Sequence, residues 1–167
     1  MIKHQKIQTQ NDIFQHLFSV LSSQRFLLKQ GLGNEVPFFI CPYSPSQSEE
    51  MTRMQDQLVK RLEEAGIKIL VINLYDLTLN ILEQEGDLDW LIENETSLPK
   101  EKLQEELQGI LDVETVLIPA MADTINSQTY DVLFLTGIGE VFPGEQRALF
   151  EQVGGFSDFT CFFILEL

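Results

Sequence analysis

Apolar residues recur at helical spacing along much of the chain. The first such stretch has a face made of Ile13, Phe14, Leu17, Phe18 and Leu21, which repeat three and four residues apart. Asn11 or Asp12 is the expected N-cap of this helix. Similar spacing, with turn and capping signals, predicts helices at 26–28, between Ser46 and Gly66, between Asn73 and Gly86, around Trp90, from Pro99 to Leu111, around Pro119, and from Glu145 to Gln152. The Ser46–Glu49 segment has the spacing of a capping box.

Four short, almost continuously apolar runs predict β-strands. They are Val36–Cys41, Ile67–Asn73, Val132–Leu135 and Thr160–Leu165. Helices separate these runs, and that order favours right-handed crossovers between parallel strands. We therefore predict an α/β fold with a mainly parallel sheet of three to four strands, flanked by helices and preceded by a helical N-terminal region. A chain of 167 residues suits one domain, expected over 11–167, with 1–10 as a flexible tail.

The N-terminal helical region carries an aromatic-rich stripe with two possible roles. The stripe consists of Phe14, Phe18, Phe26 and Leu27. Aromatic residues at helical spacing usually pack into their own core, so burial against the sheet is the favoured prediction. The alternative is an exposed apolar patch, edged by Arg25 and Lys29, that binds a partner.

The chain is strongly acidic, with 26 acidic residues, 11 basic residues and a formal net charge of -15. Such a charge repels a phosphate backbone, so tight direct binding to DNA is not expected. Eleven of the acids lie between positions 83 and 114, where the basic residues are Lys100 and Lys102. This polarity suits a basic protein partner, or serves solubility alone.

The cysteines and the N-terminus indicate a cytoplasmic protein. Cys41 and Cys161 lie far apart in apolar runs, as buried reduced thiols do, and they match neither a disulfide framework nor a zinc site. No apolar run approaches the length of a membrane span, and positions 1–10 lack the apolar stretch of a signal peptide. We expect neither export nor membrane insertion.

Candidate site residues follow three of the predicted strands, since ligands of a parallel sheet bind beyond the carboxyl ends of its strands. They are Tyr43, Asp76, Thr136, Gly137, Gly139 and Glu140. Each has a structural alternative: Asp76 suits the first turn of a helix, and the two glycines suit a tight turn because the third glycine of a dinucleotide-binding motif is missing. No catalytic residue, metal ligand or cofactor is predicted. A hydrolase or nucleotide-handling enzyme, with Asp76 and Glu140 holding a divalent ion, remains the alternative to a binding protein.

An ordered set of motifs gives the chain a family resemblance. These motifs are HLFSVL at 16–21, ICPY at 40–43, INLYDL at 72–77, LQGIL at 107–111 and VLFLTGIGEVFP at 132–143. Together they closely resemble BrxB, a small component of the BREX phage-exclusion systems of bacteria, over about residues 11–143. After Pro143 the chain departs from the family pattern, because Gly144 stands where an Arg-Ser-His-containing stretch usually follows. This departure indicates a shortened or internally deleted relative.

The resemblance implies a role in phage defence beside a PglZ-type protein, a DNA methyltransferase and a large ATPase. It carries over no catalytic residues, because none are established for the family. A non-catalytic adaptor or assembly component is therefore the favoured function, with other BREX components as partners and the PglZ-type component as the first choice.

Overall fold

The sheet formed by the described residues contains four strands and is mixed. The computed structural model describes residues 9–28, 38–138 and 160–165. Its strands are β1 (Phe38–Tyr43), β2 (Ile69–Asn73), β3 (Val132–Thr136) and β4 (Thr160–Leu165), in the spatial order β1-β4-β3-β2. The predicted α/β class is confirmed.

The direction of β4 differs from the expectation of a mainly parallel sheet. β2 and β3 are parallel, whereas β4 lies between β1 and β3 and is antiparallel to both. Two of the three strand pairings are therefore antiparallel, although β1, β2 and β3 run in one direction. An apolar run predicts a strand but holds no information about its direction, which depends on the path of the preceding connection.

Seven α-helices and two shorter helical turns complete the described part of the chain. The helices are α1 (Gln10–Leu21), α2 (Gln24–Leu27), α3 (Ser48–Glu64), α4 (Leu74–Glu85), α5 (Asp87–Asn94), α6 (Lys100–Ile110) and α7 (Ile118–Asn126). A 3₁₀ turn, Pro45–Gln47, precedes α3, and a π-helix, Val113–Leu117, precedes α7. None of the described helices is long and apolar enough to cross a membrane. The helix predicted at 145–152 lies outside the described residues.

Two predicted helix caps are wrong. Helix α1 is capped by Thr9, whose hydroxyl accepts a hydrogen bond from the Asp12 amide at 3.2 Å. Asp12 therefore occupies the N3 position of a capping box and is not the cap, and its carboxylate accepts a hydrogen bond from the Thr9 amide at 3.1 Å. The expected box at Ser46–Glu49 does not form, because Ser46 lies within the 3₁₀ turn and α3 begins at Ser48 without a side-chain cap.

The sheet separates two apolar cores. On one face, Leu70, Ile72, Leu133 and Leu135 pack with buried residues of α4, α5, α6 and the π-helix. On the other face, Val132 and Phe134 pack with buried residues of α1, α2 and α3. Alternation along β3 explains this division, since successive side chains of a strand point to opposite faces.

The aromatic-rich stripe of the N-terminal region is divided between core and surface. Phe26 is buried, as are the neighbouring Leu17 and Leu21. Phe14 and Phe18 are half-buried and pack at the edge of the same core. Burial against the domain's own core is thus confirmed for Phe26 and is incomplete for Phe14 and Phe18. Lys29, one of the two basic residues expected beside the stripe, lies outside the described residues. Positions 1–8 of the predicted flexible tail also lie outside them. The single-domain organisation stays a prediction.

Candidate functional site

The ends of β2 and β3 are joined by a close backbone contact. Asn73 is paired with Thr136 in the parallel ladder. The Asn73 carboxamide oxygen accepts hydrogen bonds from the Tyr75 amide at 3.0 Å and the Asp76 amide at 3.3 Å, so Asn73 is the N-cap of α4. The strand therefore passes directly into the helix, and its last side chain satisfies two amides of the first turn.

Gly137 packs directly against this cap. Its φ of 70° lies in the left-handed region that favours glycine. A Cβ at this position would overlap Asn73 Oδ1 and would lie 2.9 Å from Asn73 Cγ and 3.1 Å from the Tyr75 amide nitrogen. Glycine is thus required by two independent constraints, backbone conformation and space. Both support the structural interpretation of Gly137, which was expected to permit a tight turn.

The other predicted site residues do not gather around this point. Tyr43 packs at the edge of the α1–α3 core, and Thr136 is buried beyond Phe134 on the same strand. Asp76 is exposed in the first turn of α4, which covers the opposite face of the sheet. Three strand spacings separate β1 from β2, or roughly 14 Å at the usual distance between neighbouring strands. Gly139 and Glu140 lie outside the described residues, so the structure leaves the paired-carboxylate hypothesis for Asp76 and Glu140 untested.

Cys41 is the described cysteine side chain, and its environment disfavours the thiolate. It is half-buried at the edge of the α1–α3 core and forms no disulfide with the described residues. Burial raises the pKa of the Cys41 thiol from 9.0 to about 11. Among the described residues, no group of three or more His, Cys, Asp or Glu side chains is placed to hold a metal ion.

A wide groove lies between α1 and α3. This α1–α3 groove has a volume of about 810 Å³ and is lined by Phe14, Met54, Arg53, Arg61 and several amide side chains. The Arg61 guanidinium stands over the rings of Phe18, at 4.5 Å, and Phe14, at 5.7 Å. Such stacking fixes an arginine over an apolar wall. Arg53 is paired with Glu49, at 2.8 Å, on the exposed side of α3.

A second, more apolar groove lies between α4, α5 and α6. This α4–α6 groove has a volume of about 220 Å³, and its lining includes Leu79, Leu88, Leu91, Ile92, Glu95 and Leu103. Ile92, at its rim, is 61% exposed. The groove belongs to the face of the sheet covered by α4, α5 and α6.

The sequence analysis placed the candidate ligand site at the strand ends and predicted neither groove, although it named Phe14, which lines the α1–α3 groove, in a possible partner-binding patch. One signal for the second groove was present. Trp90, Leu91 and Ile92 are consecutive, and one helix face cannot bury three consecutive side chains. The structure buries Leu91 and leaves Trp90 43% exposed and Ile92 61% exposed.

Comparison with known proteins finds similarity to one family. A model of the family described as BREX protein BrxB matches residues 70–147. The BREX protein BrxB of Escherichia coli O9:H4 (strain HS) is 26% identical over 149 residues, which cover 87% of this chain and 74% of the relative. The BREX protein BrxB of Bacillus cereus (strain H3081.97) is 27% identical over 140 residues, 80% of this chain and 70% of the relative. No solved structure matches the chain significantly. The segment matched by the family model contains every lining residue of the α4–α6 groove.

Proposed function

We propose that this chain is a BrxB-family protein of a BREX phage-defence system, and that it is a non-catalytic adaptor or assembly component that acts in the cytoplasm. Its function is to bind other BREX proteins, with the PglZ-type component as its direct partner. The observation that carries the proposal is the family match, since both relatives are named as BREX proteins and align with at least 80% of the chain.

The arrangement of the strand ends supports a binding role. Asn73 and Gly137, at the centre of the expected site, hold the start of α4 in place. Tyr43, Thr136 and Asp76 are divided between the two sides of the sheet. In an enzyme of the alternative class, the reacting groups need to converge on one position. The described members of the predicted site do not converge in this way.

The surface of the described residues offers places where a protein can dock. The α1–α3 groove combines an apolar wall with two arginines, and the α4–α6 groove is apolar. Apolar residues that converge in a concave surface are typical of sites that bind helices or extended segments of other proteins.

Co-purification tests the proposal. The tagged full chain is co-expressed with each BREX component of its own system in turn, and the retained proteins are quantified. We expect retention of the PglZ-type protein at a fixed stoichiometry that survives a wash at moderate salt. The matched control is the relative from Escherichia coli O9:H4 (strain HS) with the components of its own system. Absence of any association for this chain, while the relative retains a component, would contradict an adaptor role.

A further inference from the structure

The α4–α6 groove is an apolar surface inside an acidic region. Residues 74–110, which form α4, α5 and α6 with their connections, contain ten acidic residues and two lysines. Glu95 is the charged residue among those lining the groove. The leucines at the base of the groove, Leu82, Leu91 and Leu107, are buried, whereas Ile92 at its rim is 61% exposed.

Helix α5 presents one of its faces to the groove. Leu88, Leu91, Ile92 and Glu95 follow the spacing of one helix face, and all four line the groove. Trp90 is two positions before Ile92 and therefore lies on the far side of the helix, where it is 43% exposed without lining the groove. The same short helix thus carries one exposed apolar residue at the groove and one away from it.

We propose that the α4–α6 groove is the docking site for a basic amphipathic helix of a protein partner. The inference rests on the proposed adaptor function and specifies its surface and the chemistry of its partner. A groove bounded by three helices takes the apolar stripe of a further helix, whose anchors recur three and four residues apart. Its lysines and arginines then lie against the acidic surroundings, which accelerates association and selects against acidic segments.

Charge decides which occupant the groove accepts. An acidic or neutral amphipathic helix has the same apolar stripe, but it meets Glu95 and the other carboxylates of residues 74–110 without compensation. Like charges brought together at an interface disfavour binding. The groove is therefore expected to discriminate between helices of equal hydrophobicity and opposite charge.

The probe is a fluorescein-labelled synthetic helix with leucines at positions i, i+3, i+4 and i+7 and lysines elsewhere. Its matched control replaces every lysine with glutamate. Fluorescence anisotropy with the full chain should show binding of the lysine peptide that weakens as sodium chloride is raised, and no binding of the glutamate peptide. Equal binding of both peptides, or binding of neither, overturns the proposal.

Two substitutions of identical charge locate the site. Ile92→Lys should weaken binding of the lysine peptide by at least about tenfold, because it places a cation in the groove and removes an apolar anchor. Trp90→Lys makes the same charge change on the opposite face of α5 and should change affinity by less than about threefold. Both positions are exposed, so melting temperatures should stay close to that of the unsubstituted chain. Equal losses for the two variants contradict docking in the groove, and Glu95→Lys provides a second groove variant if Ile92→Lys melts early.

The same variants separate this inference from the proposed function. If the unsubstituted chain retains a BREX component and Ile92→Lys retains it equally well, the adaptor function stands and the groove is not its docking site. If the unsubstituted chain retains no BREX component, the adaptor function is contradicted. The peptide measurements then still test whether the groove binds a basic amphipathic helix.

Discussion

Replacement of Gly137 by alanine should destabilise the protein through two effects that meet at one position. The backbone at Gly137 is left-handed, which costs an alanine about 1–2 kcal/mol. The new Cβ also overlaps the Asn73 carboxamide, so Asn73 must leave its place as N-cap of α4. Loss of such a cap costs about 1 kcal/mol. Urea unfolding followed by circular dichroism should therefore show a loss of about 2–3 kcal/mol in the free energy of unfolding.

A double-mutant cycle tests the coupling between the glycine and the cap. Asn73→Ala alone should cost about 1 kcal/mol, and adding Gly137→Ala should then cost only the backbone strain, about 1–2 kcal/mol. Gly109→Ala is the control, because Gly109 lies in α6 and a Cβ there would enter open space. It should stabilise the protein by about 0.5–1 kcal/mol. A loss below about 0.5 kcal/mol for Gly137→Ala, or fully additive losses in the cycle, would show that Gly137 and the Asn73 cap are not coupled in this way.

Three further measurements follow from the packing and the charge. Phe14→Ala should lower the free energy of unfolding by about 2 kcal/mol, less than for a fully buried phenylalanine, because Phe14 is half-buried beneath Arg61. Unchanged stability with lost partner binding would instead assign Phe14 to an interface. At pH 8 the rate of Cys41 alkylation by iodoacetamide should be about a hundredfold lower in the folded protein than in urea, since burial raises the thiol pKa from 9.0 to about 11. Peptide mass spectrometry measures both rates, and similar rates would contradict burial of the Cys41 thiol. The isolated protein, with a net charge of -15, should not bind duplex DNA with nanomolar affinity at physiological salt; tight binding with a steep salt dependence would count against this expectation.

Periodic patterns in the sequence predicted the helices well where one face is strongly apolar. Met51, Met54, Leu58 and Leu62 marked a single face of α3, and the structure buries all four. Their spacing alone determines which side of the helix meets the core. The helix starts were less predictable, because the first apolar residue locates a start only to within a turn. Thr9 caps α1 four residues before Ile13.

The strand direction and the site depended on contacts between distant parts of the chain. The apolar run 160–165 gave no sign that β4 lies between β1 and β3 and runs against them. The parallel register that places Asn73 opposite Thr136, and so brings Gly137 against the cap, is likewise a tertiary feature. Neither the spacing of nearby residues along the chain nor the composition contains this information.

The α4–α6 groove could be predicted from the sequence only in part. Consecutive Trp90, Leu91 and Ile92 required that some apolar side chains of α5 remain outside the core. The sequence did not determine which of them lines a groove. The positions of α4 and α6 beside α5 decide it, and they place Ile92 at the groove and Trp90 away from it.

Removing this chain from a complete BREX system tests whether it holds other BREX proteins together. A tagged PglZ-type component is purified from cells that express every other BREX component of the same system, with and without this chain, and the associated proteins are quantified. An adaptor predicts that at least one component is lost from the assembly when the chain is absent and returns when it is supplied in trans. An assembly of unchanged composition in its absence would contradict the adaptor function.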